Sequence, residues 1–386
     1  MPFWYLQLLI SRNKKLWIFG AWYGERFSDN SMYLFKYIHE NYPDIRAIWI
    51  TTNKDIFNSN KTLGYETYMK WSLKGVWYCL KAKFVFVTSR KQDVNEFFIN
   101  GSTTVNLWHG SPLKKIGADD KYSQVNSFFY SKIVKNIFSI SYEFNYDFVI
   151  SNAAVFTDKM AASFKVDNTQ VLETGCPRND VFYNTKKDSF NLNVLERFPN
   201  AKLVYYLPTF RNSETPKNIF TQPDFNINFI EDFLRKENIV LINKGHFVES
   251  KKGITSTNPL SRIIHLKDSD TTSDINFMLK DADALITDYS SVFFDFLLTE
   301  RPMIFAAFDL QEYMSQSREL YFEYDNAISG PMAKNWKEIM FHLKNVWCDI
   351  NNNILIKEKN TLYNKYHDAN NSERVVQSLI GLSNKK

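Results

Sequence analysis

ITDYSSVFFDF, residues 286–296, follows Asp283-Ala284-Leu285 and precedes the apolar run from Leu297 to Phe308. An apolar stretch breaks there into an acid, a phenol and two hydroxyls, then turns apolar again. Ala284–Thr287 is short, apolar and partly β-branched, the pattern of a buried strand. Val292 to Glu300 reads as a helix stopped by Arg301-Pro302, and Met303–Phe308 as the next strand. Strand, polar corner, helix and strand make a parallel βαβ crossover. Asp288-Tyr289-Ser290-Ser291 then falls where a strand's carboxyl end meets a helix's amino end, and backbone N–H groups and the helix dipole favour an anion there. The same residues also suit a plain corner, with a serine as N-cap and Asp288 as turn former. Chemistry at the other strand ends decides between the two.

Working outward, the first half alternates strand-like Leu16–Gly20, Ala47–Thr51, Phe84–Ser89, Thr104–Trp108, Phe148–Ser151 and Val171–Gly175 with helix-like Met32–Tyr42, Tyr65–Ala82, Ser127–Ile140 and Ala154–Phe164. A polar segment, Asn184–Asn200, reads as a linker. Strands Leu203–Leu207, Ile239–Asn243 and Ile263–Leu266 lead into the opening crossover, with helices near Phe229–Lys236 and Asp274–Lys280. The expectation is an α/β chain of two doubly wound domains facing a cleft: residues 1–185, residues 195–345 and a helical segment over 346–386.

Open α/β sheets bind ligands at the carboxyl ends of their strands. Those ends carry His109-Gly110-Ser111-Pro112-Leu113-Lys114-Lys115, Cys176-Pro177-Arg178-Asn179-Asp180, Pro208-Thr209-Phe210-Arg211, Lys244-Gly245-His246 and the corner at Asp288. Arg211, Lys244 and the serines suit a ligand carrying phosphates. His109 and His246, each beside glycine, suit acid–base work and the stabilisation of phosphate charge. Neither G-x-x-x-x-G-K-[ST] nor G-x-G-x-x-G occurs, which argues against an ATPase or a nicotinamide enzyme. No metal-binding pattern or cofactor motif is found.

With 386 residues, 44% hydrophobic and 23% charged, the composition is globular. A net charge of +5 gives no case for nucleic acid. Three dispersed cysteines argue against a disulfide framework and suit a reducing cytoplasm. No run reaches the roughly 18 apolar residues of a membrane span.

Taken together, WHGSPLKKIG (108–117), GCPRND (175–180), LPTFR (207–211), KGH (244–246), ITDYSSVFFDFLLTERPMIFAAFDLQEY (286–313) and YFEYDNAISGP (321–331) resemble the CDP-glycerol glycerophosphotransferase family of teichoic acid and capsule synthesis. The resemblance runs from about residue 16 to about 345. It implies a GT-B-like fold, a CDP-glycerol donor, transfer of sn-glycerol 3-phosphate to an acceptor hydroxyl, and release of CMP. It implies His109 as general base, with Gly110 and Ser111 beside it, and His246 as a contact to the pyrophosphate. Arg211, Asp288, Ser290 and Ser291 match donor-site positions, Asp325 matches an acid of the last block, and Thr209 and Lys244 are expected to bind substrate beside them. Ser111 stands where threonine is common, which keeps the hydroxyl. The short lead before residue 16 leads us to expect a minimal catalytic unit. Some members transfer ribitol phosphate, and a nucleotide-sugar glycosyltransferase of the same fold class is the rival reading.

Acceptors in that family are lipid-linked or polymeric, so peripheral attachment at the cytoplasmic membrane face is expected. Tyr65–Lys83, with Trp71, Trp77, Tyr68 and Tyr78 among Lys70, Lys74, Lys81 and Lys83, is one candidate for an interfacial helix. Phe128–Phe144 is another.

Overall fold

The β-branched and aromatic runs form parallel strands buried on both faces, as sheets covered by helices require. The computed structural model describes residues 2–120, 144–209, 218–244, 260–266, 274–316 and 319–383. Arg211, Gly245, His246 and most of Phe128–Phe144 lie outside them. The chain divides into two compact units, Met1–Asp180 with Lys365–Lys386, and Val181–Asn364.

The first unit holds a seven-stranded sheet of order β3-β2-β1-β4-β5-β6-β7. Its strands are β1 Asn13–Phe19, β2 Arg46–Thr51, β3 Thr67–Met69, β4 Ala82–Val87, β5 Thr103–Asn106, β6 Phe148–Ile150 and β7 Val171–Leu172. All pairings are parallel. Its core explains the aromatic content of the sequence: Trp17, Phe19, Phe35, Trp49, Phe84 and Phe86 are buried together. The rings of Phe19 and Phe86 stack at 4.6 Å.

The second unit holds a five-stranded parallel sheet of order β10-β9-β8-β11-β12. Its strands are β8 Lys202–Leu207, β9 Ile239–Asn243, β10 Ile263–His265, β11 Ala284–Thr287 and β12 Met303–Phe305. The strand order of both sheets reverses at equivalent points, between β1 and β4 and between β8 and β11. Crevices that take ligands form at such reversals.

The structure departs from the sequence reading in several places. Tyr65–Ala82 is not one helix. Thr67–Met69 adds an edge strand, Ser72 caps a new helix by accepting the Gly75 N–H at 3.0 Å, and the helix proper is Leu73–Lys81. Gly75 is required there, since a Cβ would lie 2.3 Å from the Met69 carbonyl oxygen. Lys70 is therefore no lipid-facing lysine: it pairs with Glu96 at 3.0 Å, both side chains only 9% exposed. Within polar Asn184–Asn200 a helix forms, Ser189–Arg197, whose Asn191 is buried and donates to the Met278 carbonyl at 2.8 Å. Of the C-terminal residues, helix Ile350–Tyr363 belongs to the second unit and helix Asn371–Ser383 to the first.

That last helix is held from below its first turn. The Asp180 carboxylate accepts the N–H groups of Asn371 and Ser372 at 2.8 and 2.9 Å. Helix starts leave such donors unpaired, and a half-buried carboxylate satisfies them here. Asp180→Ala should therefore destabilise the first unit by about 1–3 kcal/mol, read from urea unfolding followed by tryptophan fluorescence.

Candidate functional site

In the first unit the corner after β5 is built by bonds to its own backbone. Asn106 Oδ1 accepts the Trp108 N–H at 2.9 Å, which turns the chain sharply. Trp108 takes φ +48° and Gly110 φ +138°, the first a conformation that bulky residues rarely adopt. Asn30 Nδ2 donates to the Leu107 and Trp108 carbonyls at 2.9 and 2.8 Å. The His109 ring lies beside both Trp108 and Trp22, with centroids 3.9 and 5.0 Å away.

His109 Nδ1 sits 3.0 Å from the Thr88 carbonyl oxygen. A carbonyl only accepts, so Nδ1 carries the proton and Nε2 is the basic atom of the ring. Thr88 is itself fixed: its N–H and that of Ser89 donate to Asp93 Oδ2, each at 2.8 Å. The Tyr23 N–H donates to the other oxygen at 2.7 Å. Asp93 is fully buried, and burial pushes its carboxyl up from the ordinary value against the pull of these N–H groups. Ser111 is buried as well and accepts the Asn152 amide at 2.9 Å, which ties the β5 corner to the end of β6.

In the second unit the opening corner lies at the reversal of the sheet. Asp288 is 2% exposed, and its Oδ1 accepts the Thr209 N–H at 2.7 Å, joining the end of β11 to the end of β8. Thr287 Oγ1 donates to the Leu207 carbonyl at 2.7 Å. The Lys244 N–H donates to the Tyr206 carbonyl at 3.2 Å and so brings the end of β9 alongside. Two buried phenols brace the corner. Tyr324 donates to the Asp288 carbonyl and Tyr289 to Asp309 Oδ1, each at 3.0 Å, and Tyr289 stacks on Tyr313 at 4.0 Å. Burial first, then nearby carboxylates, push both phenols well above the ordinary value, so they remain donors.

Ser290 and Ser291 are half-buried. Ser290 Oγ accepts the Val292 N–H at 3.4 Å, whereas Ser291 makes no side-chain cap bond. The helix they precede, Val292–Phe296, has five residues before a 3₁₀ turn, so its dipole is small and the hydroxyls matter more. Asp325 is exposed in the short helix Tyr324–Ala327, beside the phenol that holds the corner.

The structure thus gathers Thr209, Lys244, Asp288, Ser290 and Ser291 in one unit, and His109, Gly110 and Ser111 in the other. The sequence reading missed the loop after β1, where Trp22 and Tyr23 take φ +48° and +59° and Asp29 φ +60°. Gly-Ala-Trp-Tyr-Gly directly after a strand was the available signal.

Residues 3–381 match the family described as CDP-glycerol:poly(glycerophosphate) glycerophosphotransferase. The teichoic acid glycerol-phosphate transferase of Staphylococcus aureus is 29% identical over 383 residues, 95% of this chain and 93% of that protein. The teichoic acid poly(glycerol phosphate) polymerase of Bacillus spizizenii is 28% identical over 392 aligned residues, covering 97% of this chain and 94% of that one. The solved structure of the wall teichoic acid polymerase TagF is similar in fold, with a TM-score of 0.77 at 23% identity, over 99% of this chain and 93% of that chain. The fold is therefore GT-B-like.

The cap and corner roles separate in stability. Ser291→Ala should leave unfolding free energy within about 0.5 kcal/mol of the parent, because no cap bond is lost. Asp288→Ala should cost about 1–3 kcal/mol by stranding the Thr209 N–H. Urea denaturation of both variants checks the pair.

Proposed function

This chain belongs to the CDP-glycerol:poly(glycerophosphate) glycerophosphotransferase family and is a glycerophosphotransferase, and we propose that His109 is the general base of its transfer. The acceptor in this reading is a hydroxyl of a lipid-linked saccharide or a growing polyol-phosphate polymer. His109 Nε2 takes the hydroxyl proton as the acceptor oxygen bonds to the glycerol-bearing phosphorus of CDP-glycerol. The P–O bond to the other phosphate breaks and CMP leaves. The observation that carries this reading is the bond from His109 Nδ1 to the Thr88 carbonyl, which places a proton on Nδ1 and makes Nε2 the ring atom that can accept one.

The donor's phosphates are held by Ser290, Ser291, Thr209 and Lys244, with Arg211 and His246 as further contacts carried over from the resemblance. Asp288 repels phosphate and serves the corner by accepting the Thr209 N–H. Asp325, on the exposed side of the corner, is assigned to the donor's hydroxyls. Glycerol is favoured over ribitol because the two relatives that match almost end to end are named for glycerol phosphate.

A donor panel tests the reaction class: CDP-glycerol should release CMP, whereas UDP-sugars should release no UDP. His109→Ala should lower turnover about 10²–10⁴-fold, the range of general acid–base catalysis, with donor affinity by calorimetry largely spared. Near-normal turnover in that variant removes the base assignment.

For the acceptor's membrane, peripheral attachment is the reading. No helix among the described residues is long and apolar enough to cross a bilayer. Trp71, Leu73 and Trp77 are 63%, 92% and 56% exposed, and the Lys81 ammonium lies 5.3 Å from the Trp77 ring centroid. The N-terminal segment adjoins them: Gln7 Nε2 donates to the Phe97 carbonyl at 2.7 Å, Trp71 packs 6.0 Å from the Phe97 ring, and Leu8 and Leu9 are exposed. Aromatics beside lysines suit the headgroup layer of an anionic bilayer. Replacing Trp71, Leu73 and Trp77 with serine should reduce sedimentation with phosphatidylglycerol vesicles and leave activity on a soluble acceptor intact. Unchanged sedimentation returns the patch to ordinary surface.

A further inference from the structure

Arg178, in the Gly175–Asp180 block at the end of β7, has the charge of a phosphate ligand but not the setting of one. Its side chain is 10% exposed and its guanidinium faces the protein. Nη1 donates to Asp29 Oδ1 at 2.6 Å and to the carbonyl of His109 at 2.7 Å. The Arg178 N–H donates to Asn30 Oδ1 at 3.0 Å. Asn30 in turn donates to the carbonyls of Leu107 and Trp108. Successive carbonyls at 107, 108 and 109 are therefore all held by the Asp29-Asn30-Arg178 group. Asp29 Oδ2 also accepts the Trp22 indole N–H at 2.6 Å, and Trp22 is one of the two rings flanking His109.

This arrangement comes with unfavourable backbone. Trp22, Asp29 and Trp108 all take φ between +48° and +60°. Such conformations persist where the surroundings over-determine them, and they cluster where geometry serves function. A buried ion pair is by itself weak evidence of a stabilising role, because removing both charges from water offsets their attraction. What the Asp29–Arg178 pair supplies is direction: one fixed donor aimed at the backbone of one residue.

We propose that Arg178, locked by Asp29, is the positioning residue of His109, fixing the backbone at 109 and, through Trp22, the ring plane that aims Nε2. The C-terminal helix anchors the same block, since Asp180 lies two residues on and holds the N–H groups of Asn371 and Ser372. The inference rests on His109 being the base. The competing role for an arginine here is direct contact with a phosphate of donor or acceptor, and the two roles differ in kinetics. A positioning residue lowers kcat with KM unchanged, because misplacing a reacting group by about 1 Å can cost on the order of 10²-fold. A phosphate contact raises KM or weakens nucleotide binding.

The test is a double-mutant cycle on the full chain with CDP-glycerol and a soluble acceptor, with CMP release measured. Arg178→Gln should lower kcat roughly 10–10²-fold, with KM for CDP-glycerol and CMP affinity by calorimetry within about threefold of the parent. In the His109→Ala background the same change should cost less than about twofold, because residues that act as a unit are not additive. Trp22→Phe keeps an aromatic side chain and the ion pair but removes the indole N–H. It should give a smaller loss of kcat that also vanishes in His109→Ala, and it serves as the probe if Arg178→Gln shows no cooperative melt. Equal losses in both backgrounds, or weakened CMP affinity in Arg178→Gln, overturn the positioning role. Near-normal turnover of His109→Ala alone instead overturns the base assignment from which the inference starts.

Discussion

A buried carboxylate that accepts backbone N–H groups where the strand order reverses is the interaction on which the corners of each unit depend. In the first unit Asp93 joins the loop after β1, through Tyr23, to the loop after β4, through Thr88 and Ser89. In the second, Asp288 joins the corner after β11 to the loop after β8, through Thr209. These are the same two positions of the doubly wound order, where neighbouring strands send their connections to opposite faces and a crevice opens. Loops that leave in opposite directions have few partners in each other, and their N–H groups would be stranded near the crevice. A carboxylate satisfies them with charge-assisted bonds and sets the loops at a fixed separation. Thr209, Ser290 and Ser291 lie on these loops, and His109 is bonded to one of them through the Thr88 carbonyl.

Much of this was legible because parallel strands buried on both faces leave unbroken β-branched and aromatic runs. Ile239–Asn243 and Ala284–Thr287 are observed with the bounds their sequence suggests. The polar residues after them stand out for the same reason. Short-range pattern failed where one residue did two jobs. Tyr65–Ala82 has helical periodicity throughout, yet Thr67–Met69 pairs with β2 and only Ser72 and Gly75 mark the new start. The return of Asn371–Ser383 to the first unit was not legible at all. It rests on Asp180 reaching residues far along the chain, and on a glycine at 175 whose added Cβ would meet Asn371 Oδ1 at 2.0 Å.

Arg178 shows the same limit in the site itself. Its residue type and strand-end position are those of an anion ligand, but a guanidinium's role is decided by what occupies the space before it. Asp29 takes it here, from the first position of the helix Asp29–Asn41, where it has φ +60°. The arginine's charge is cancelled and its directionality kept.

Serines at the two corners make the complementary case. Ser111 follows the histidine corner and matches the family block, yet it is buried against Asn152 and its hydroxyl joins β5 to β6. Ser290 and Ser291 follow an equally sharp corner but stay half-buried, and Ser291 forms no cap bond to its helix. The difference lies in who supports the corner. After β5 the backbone is held by Asn106, Asn30 and Arg178, and Ser111 adds one more internal tie. After β11 the holding is done by Asp288 and by the buried phenols of Tyr324 and Tyr289, and Ser290 adds only a long bond from the Val292 N–H. A phosphate contact needs donors that the fold does not already spend on itself. The first unit uses its polar side chains to orient one imidazole, and the second uses acids and phenols to leave its hydroxyls available. The proposed base and the proposed anion site would thus be prepared by opposite means from the same sheet topology.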